Sequence, residues 1–146
     1  MGLFSKLFGN LNQKFSLPEA FAAIAVATIA SDGYFLDEER ERLLYLLSTL
    51  EVCQGYSASQ LMSILDKLVE QFRQKGSQDL VERAKKTLPE HLRPIALGMA
   101  ADLAIVDGNF APKEHDFLTY LWQTLEIPGD MAWEIIDFKV KKEHRF

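Results

Sequence analysis

The sequence predicts an all-α protein, a helical bundle of about seven to eight helices built from two repeats related by a pseudo-twofold axis. Three observations lead to this fold class. Apolar residues recur at spacings of three and four, as on a helix face. No segment of five or more residues alternates with a period of two, as a half-buried strand would. The stretch Asp32–Glu51 returns 75 residues later as Asp107–Glu126, with ten of twenty positions identical, which indicates an internal duplication.

The composition is that of one compact domain covering residues 1–146. A chain of this length with 48% hydrophobic residues can bury a core without disulfides or a structural metal. The formal net charge of −5 argues against nucleic-acid binding, which needs a concentrated basic patch. The single cysteine, Cys53, is expected to be buried, and it fits a reducing compartment. The longest apolar run, Ala20–Ala30, is too short to span a bilayer, and the N-terminus does not have the pattern of a signal peptide. We therefore expect a cytoplasmic protein.

Residues 1–15 are predicted to form a short amphipathic helix. Its apolar side chains are spaced by three and four residues: Phe4, Leu7, Phe8, Leu11 and Phe15. This face is expected to pack on the rest of the domain. The alternative is peripheral contact with an anionic membrane, for which Lys6 and Lys14 are few charges. Lys6 also stands where an N-myristoylation motif needs Ser or Thr.

The first repeat spans residues 16–76 and should contain three helices. Ser16 and Glu19 form a capping box that begins an alanine-rich helix running to about Ser31. Small side chains let a neighbouring helix approach closely, so this helix is predicted to be central. A second helix is predicted from Asp37 to Leu50, and a third begins after a second capping box at Ser57 and Gln60. Gly76 ends this third helix.

Residues 77–86 are predicted to form a short, mostly polar connecting helix, and the second repeat spans residues 87–146. The stretch Thr87-Leu88-Pro89-Glu90 mirrors Ser16-Leu17-Pro18-Glu19 and marks the restart of the pattern. Pro94 falls inside the following helix, where it either bends the helix or marks its true start.

The remaining helices of the second repeat follow the same pattern as the first. The helix that contains Pro94 continues from Ile95 to Val106 and leads to the second Asp-Gly pair. A helix from Pro112 to about Leu125 follows, and a last helix comes after Pro128. The two small-residue helices, one in each repeat, are predicted to pack against each other.

Each repeat carries the frame Asp-Gly-x-Phe-x-x-x-Glu, which resembles the second half of an EF-hand calcium loop. The positions four and two residues before the aspartate, where an EF-hand needs oxygen ligands, hold Thr28 and Ala30 in the first copy and Leu103 and Ile105 in the second. One loop alone therefore offers too few oxygens for Ca²⁺. The pseudo-twofold could instead bring four carboxylates to one shared site, namely Asp32, Glu39, Asp107 and Glu114. Crowded carboxylates are stabilised by a cation, and all-oxygen ligation favours Ca²⁺ or Mg²⁺, with Mn²⁺ as a further candidate.

The same loops also have a purely structural interpretation. Glycine ends a helix, Phe35 and Phe110 fill the core, and Glu39 and Glu114 stabilise the N-terminus of the following helix without any ligand. Asp102 lies on an otherwise apolar helix, so it either pairs with a Lys or Arg or belongs to the acidic cluster. His91, His115 and His144 lack zinc-like spacing. No nucleophile, phosphate loop or catalytic pair is recognisable, so we expect no enzymatic activity and name no catalytic residues.

The doubled frame Asp-Gly-x-Phe-x-x-x-Glu resembles the TerB-like family, and the resemblance covers about Leu17 to Ile136. These small all-helical proteins are linked to bacterial tellurite resistance, and related regions occur at the N-terminal part of membrane-anchored DnaJ-type co-chaperones. The resemblance implies a two-repeat bundle with a divalent-cation site at Asp32, Glu39, Asp107 and Glu114. In the second loop, Pro112 and Lys113 replace the Asp37 and Glu38 of the first, so the two acidic centres are not equivalent.

Two functions follow as expectations. The first is a non-enzymatic module associated with tellurite resistance or stress, binding a divalent cation between its repeats. The second is a protein-interaction or co-chaperone-associated scaffold whose Asp-Gly loops only shape the fold, with its N-terminal helix placing it at a membrane. In both cases the partner is an unidentified protein, membrane-associated in the second.

Overall fold

The computed structural model describes residues 14–32, 35–105 and 111–143. In this part of the chain all regular secondary structure is helical, which confirms the all-α prediction. The described residues form seven α-helices: α1 (Leu17–Ile29), α2 (Asp37–Thr49), α3 (Ala58–Lys75), α4 (Ser77–Thr87), α5 (Arg93–Ala104), α6 (Pro112–Thr124) and α7 (Gly129–Glu143). Three short 3₁₀ turns cover Ala30–Asp32, Glu51–Cys53 and Glu90–Leu92. Residues 1–13, most of the predicted N-terminal helix over residues 1–15, lie outside the described residues.

Helix α1 is the centre of the bundle. Its residues from Ala20 to Thr28 are all buried, and it packs most extensively against α4, with α3, α5 and α2 completing its surroundings. The predicted capping box begins it: the Ser16 N–H donates to Glu19 Oε1 at 2.8 Å, and the Glu19 N–H donates to Ser16 Oγ at 3.2 Å. Alanines on several faces let the neighbouring helices approach closely.

Helix α5 packs against α1, α7 and α6, so the predicted contact between the two alanine-rich helices is confirmed. The helix begins at Arg93 with Pro94 in its first turn, where the missing N–H of proline costs nothing. Pro94 therefore marks the start of the helix. Thr87 does not mark the start of this helix. It is the last residue of α4, and its Oγ1 donates to the Phe15 carbonyl at 2.9 Å.

Helix α4 does more than connect the two repeats. It begins one residue after Gly76, whose φ of +85° suits a glycine at the end of α3. It buries Leu80, Val81 and Ala84, and it makes the most extensive contact with α1. Its polar residues lie on the outer face, which is why the sequence suggested a mere connector.

The last helix, α7, packs against α5 and α6. Lys139 Nζ on α7 lies 2.8 Å from Asp102 Oδ2 on α5, so the lone acid of the apolar helix pairs with a lysine. Cys53 is buried, as expected, and burial raises the pKa of its thiol. Among the described helices, none has the length and apolar character needed to cross a membrane.

Candidate functional site

A cleft of about 670 Å³ lies where the ends of α1 and α5 meet the beginnings of α2 and α6. We call it the loop cleft, because both duplicated loops border it. Its walls are formed by Thr28, Ile29, Ser31, Glu39, Arg42, Leu103, Ala104, Ala111, Pro112, Lys113 and Glu114. Residues from both halves of the sequence therefore meet in one place.

Glu39 lies in the first turn of α2 and is half-buried in the wall of the loop cleft. Its Oε1 accepts a hydrogen bond from the Leu36 N–H at 3.0 Å. Leu36 is the N-cap residue of α2. Its backbone N–H is one of the donors at the helix start that have no partner within the helix, and Glu39 satisfies it. The negative carboxylate is also favoured there by the helix dipole. Glu39 thus has a structural role as well as a position in the cleft.

Glu114 occupies the corresponding position in α6, two residues after Pro112, which opens that helix. It is half-buried and lines the same cleft as Glu39. The structure therefore brings together two of the four predicted ligands from positions 75 residues apart. The Asp32 side chain and all of Asp107 lie outside the described residues, although Ser31, next to Asp32, lines the cleft. Within the described ranges no group of three or more His, Cys, Asp or Glu residues is placed to hold a metal.

Two basic residues in the loop cleft were not predicted from the sequence. Arg42 Nη2 donates to the Leu103 carbonyl at 3.2 Å, one of the last carbonyls of α5, which lack partners within the helix. A cation is also favoured at the negative end of a helix. Lys113 is exposed and lines the cleft beside Glu114. A signal for Arg42 was present, since it lies three residues after Glu39, on the same face of the helix.

The chemistry of the loop cleft is that of an oxygen site with mixed charge. Glu39 and Glu114 supply carboxylates, whereas Arg42 and Lys113 add two positive charges. None of the described residues that line the cleft is a histidine or a cysteine. Carboxylate oxygens suit hard cations such as Ca²⁺ and Mg²⁺ rather than zinc, and the two cationic side chains lower the attraction for any metal ion.

Comparison with known proteins gives one family. The family described as tellurite resistance protein TerB matches residues 18–134 of the chain, which include all seven described helices except the first residue of α1 and the end of α7. No curated protein and no solved structure matches the chain.

Proposed function

The chain belongs to the TerB family, and from that premise we propose that it is a non-enzymatic module that binds a divalent cation, Ca²⁺ or Mg²⁺, in the loop cleft. One observation carries the proposal: Glu39 and Glu114, equivalent residues of the two repeats, line the same cavity. The proposal includes the pseudo-twofold relation of the repeats, because that relation would direct Asp32 and Asp107 to the same place. A bound cation would then link the starts of α2 and α6.

The cation supplies positive charge that holds carboxylates of both loops together. Glu39 keeps one oxygen on the Leu36 N–H, which orients the carboxylate before any ion arrives. Water molecules would complete the six to eight oxygen ligands that Ca²⁺ takes. Because Arg42 and Lys113 share the cleft, we expect weak binding, with a dissociation constant on the order of 1 mM, as in the weaker calcium-binding modules.

A second candidate function rests on the hydrogen bond of Glu39. That bond stabilises α2 without a ligand, as the purely structural interpretation of the loops requires. In this alternative the protein is an interaction or co-chaperone-associated scaffold, and the loops only shape the bundle. Under either function, a role in tellurite resistance or stress would depend on an unidentified protein partner.

The experiment that separates the two functions is thermal unfolding of chelator-stripped protein with and without 10 mM Ca²⁺, Mg²⁺ or Mn²⁺. At about ten times the dissociation constant, binding adds about 1.4 kcal/mol. For a chain of this size, that raises Tm by about 4 °C. The double variant Glu39→Gln/Glu114→Gln should lose the shift, since the amides keep the volume but not the charge.

The matched control is Glu41→Gln/Glu134→Gln, which removes the same charge from two exposed positions. This control should keep the whole cation-dependent shift. If the wild-type protein shows no shift with any of the three ions, the cation proposal is wrong and the scaffold function stands. An equal shift in all three proteins would indicate general charge screening.

A further inference from the structure

A second cleft lies towards the other end of α1, away from the duplicated loops, and we call it the apolar cleft. It has a volume of about 330 Å³. Its walls come from α1, from the chain that follows α2 and from the beginning of α5: Phe21, Leu50, Glu51, Val52, Leu92 and Ile95. Five of these six residues are apolar.

The apolar cleft is open to solvent in the described part of the chain. Ile95 is 54% exposed, and Leu50, Val52 and Leu92 are only partly buried against the core. The volume is at the lower end of the range of about 300–1,000 Å³ that is typical of small-molecule sites. The walls also lack the convergent polar groups that orient a small ligand. These properties suit the apolar side chains of a polypeptide.

We propose that residues 2–13 of this same chain cover the apolar cleft, with the side chains of Phe4, Leu7, Phe8 and Leu11. The inference does not depend on cation binding at the loop cleft. The segment has apolar side chains that could cover the cleft, because its large apolar residues are spaced so that one helix face would present them together. Burying them against Ile95 and its neighbours would remove apolar surface from water on both sides.

The place where the described chain begins supports this occupant. Phe15 is buried, its carbonyl accepts from Thr87 Oγ1, and the Arg83 guanidinium lies over its ring at 4.2 Å. Phe21 lies about 6 Å along the axis of α1 from its first residue, Leu17, and the two residues from Phe15 to Leu17 span at most about 7 Å more. Residues 2–13 would extend about 18 Å as a helix and farther if extended. The segment therefore starts near the cleft and is long enough to reach across it.

Charge favours the same arrangement. Glu51 lines the apolar cleft, and Glu90 is exposed two residues before Leu92. Lys6 and Lys14 are the charged side chains of the segment and its junction, so the segment and the rim of the cleft attract each other. An anionic membrane is the competing occupant. With a formal net charge of −5, the whole protein is repelled by such a surface.

The test is a thermodynamic cycle on the full-length chain with Leu7→Ser, Ile95→Ser and the double variant. Each single substitution should lower Tm by several degrees, because each removes the same apolar contact. The double variant should lose little more than the larger single loss, since contacting residues are not additive. Ile95 is half exposed in the described structure, so its replacement leaves the core intact.

Tyr45→Ser, at a position 75% exposed on α2, is the matched control, and its effect should add to that of Leu7→Ser. Full additivity of the Leu7 and Ile95 variants, or an unchanged Tm in Leu7→Ser, would overturn the proposal. A second measurement is sedimentation with phosphatidylcholine/phosphatidylglycerol vesicles. We expect the full-length protein to stay in the supernatant. Vesicle binding that Leu7→Ser abolishes would assign the apolar face to a membrane instead.

Discussion

Replacing Arg93 with alanine should destabilise the protein more than any other single change of a charged residue that we describe. The Arg93 guanidinium donates to three backbone carbonyls, those of Leu88 at 3.0 Å, Leu125 at 3.1 Å and Lys85 at 3.4 Å. These carbonyls belong to the ends of α4 and α6, where no partner exists within the helix. One side chain at the start of α5 therefore ties three helices together.

The magnitude follows from the two shorter bonds. A hydrogen bond from a charged donor contributes about 1.5 kcal/mol at the lower end of its range, so the loss is about 3 kcal/mol. For a chain of this size, that lowers Tm by about 9 °C. The third bond is long and adds little. Arg93→Lys should recover only part of the loss, because a single ammonium cannot reach carbonyls on both helices.

The assay is thermal unfolding followed by far-UV circular dichroism, with Arg73→Ala as the control. Arg73 is exposed in the last turn of α3, so its replacement should move Tm by no more than about 2 °C. A loss below about 3 °C in Arg93→Ala would show that water replaces the guanidinium at these carbonyls. In that case the three-helix connection would contribute little to stability.

Three further predictions follow from single contacts. Burial raises the pKa of Glu19, but the Lys67 ammonium and the Ser16 N–H outweigh it, and the pKa lies below its ordinary value of 4.5. The stabilisation is therefore present above pH 4.5 and lost as the pH falls through the folded-state pKa, and Glu19→Gln should flatten acid unfolding curves in that range. Ala23→Leu, at a fully buried position, should cost about 1–3 kcal/mol by overpacking, whereas Ala58→Leu at the exposed start of α3 should cost little. Arg42→Gln should tighten cation binding in titration calorimetry, because the substitution removes a positive charge from the wall of the loop cleft that opposes a divalent ion; unchanged affinity would place the ion elsewhere.

The helix starts that the sequence predicted best are those fixed by residues three positions apart. The Ser57 N–H donates to Gln60 Oε1 at 2.8 Å, and the Gln60 N–H donates to Ser57 Oγ at 3.1 Å, as at Ser16. Such a capping box closes within one turn. Its hydrogen bonds join residues that are close in the sequence, so at Ser16 and Ser57 the pattern was enough to predict the helix start.

The sequence could predict only those residues of the candidate site that the two repeats share. Two equivalent residues of a duplicated chain, Glu39 and Glu114, were expected at one place and line one cleft. Arg42 has no counterpart of like charge in the second repeat, where Phe117 occupies its position. Arg42 therefore could not be predicted from the residues that the two repeats have in common. Its partner, the Leu103 carbonyl, is 61 positions away, and no local pattern shows which helix end will face an arginine.

Thr87 shows why the pattern that begins α1 at Ser16 does not begin a helix in the second half of the chain. The apolar positions 80, 84 and 88 continue at a spacing of four, and all three side chains are buried, so packing against the core extends α4 through Thr87. Pro89 then ends that helix, because the residue before a proline is driven out of the helical region. Leu88 accordingly has an extended ψ of 115°. At Ser16, by contrast, the residue has an extended ψ of 169°, its side chain accepts from the Glu19 N–H, and Pro18 lies in the first turn of α1. The pattern Thr-Leu-Pro-Glu therefore does not begin a helix where the preceding turn is already helical and packed on the core, and of the two roles that the sequence left open for Pro94, the start of the helix is the one that the structure shows.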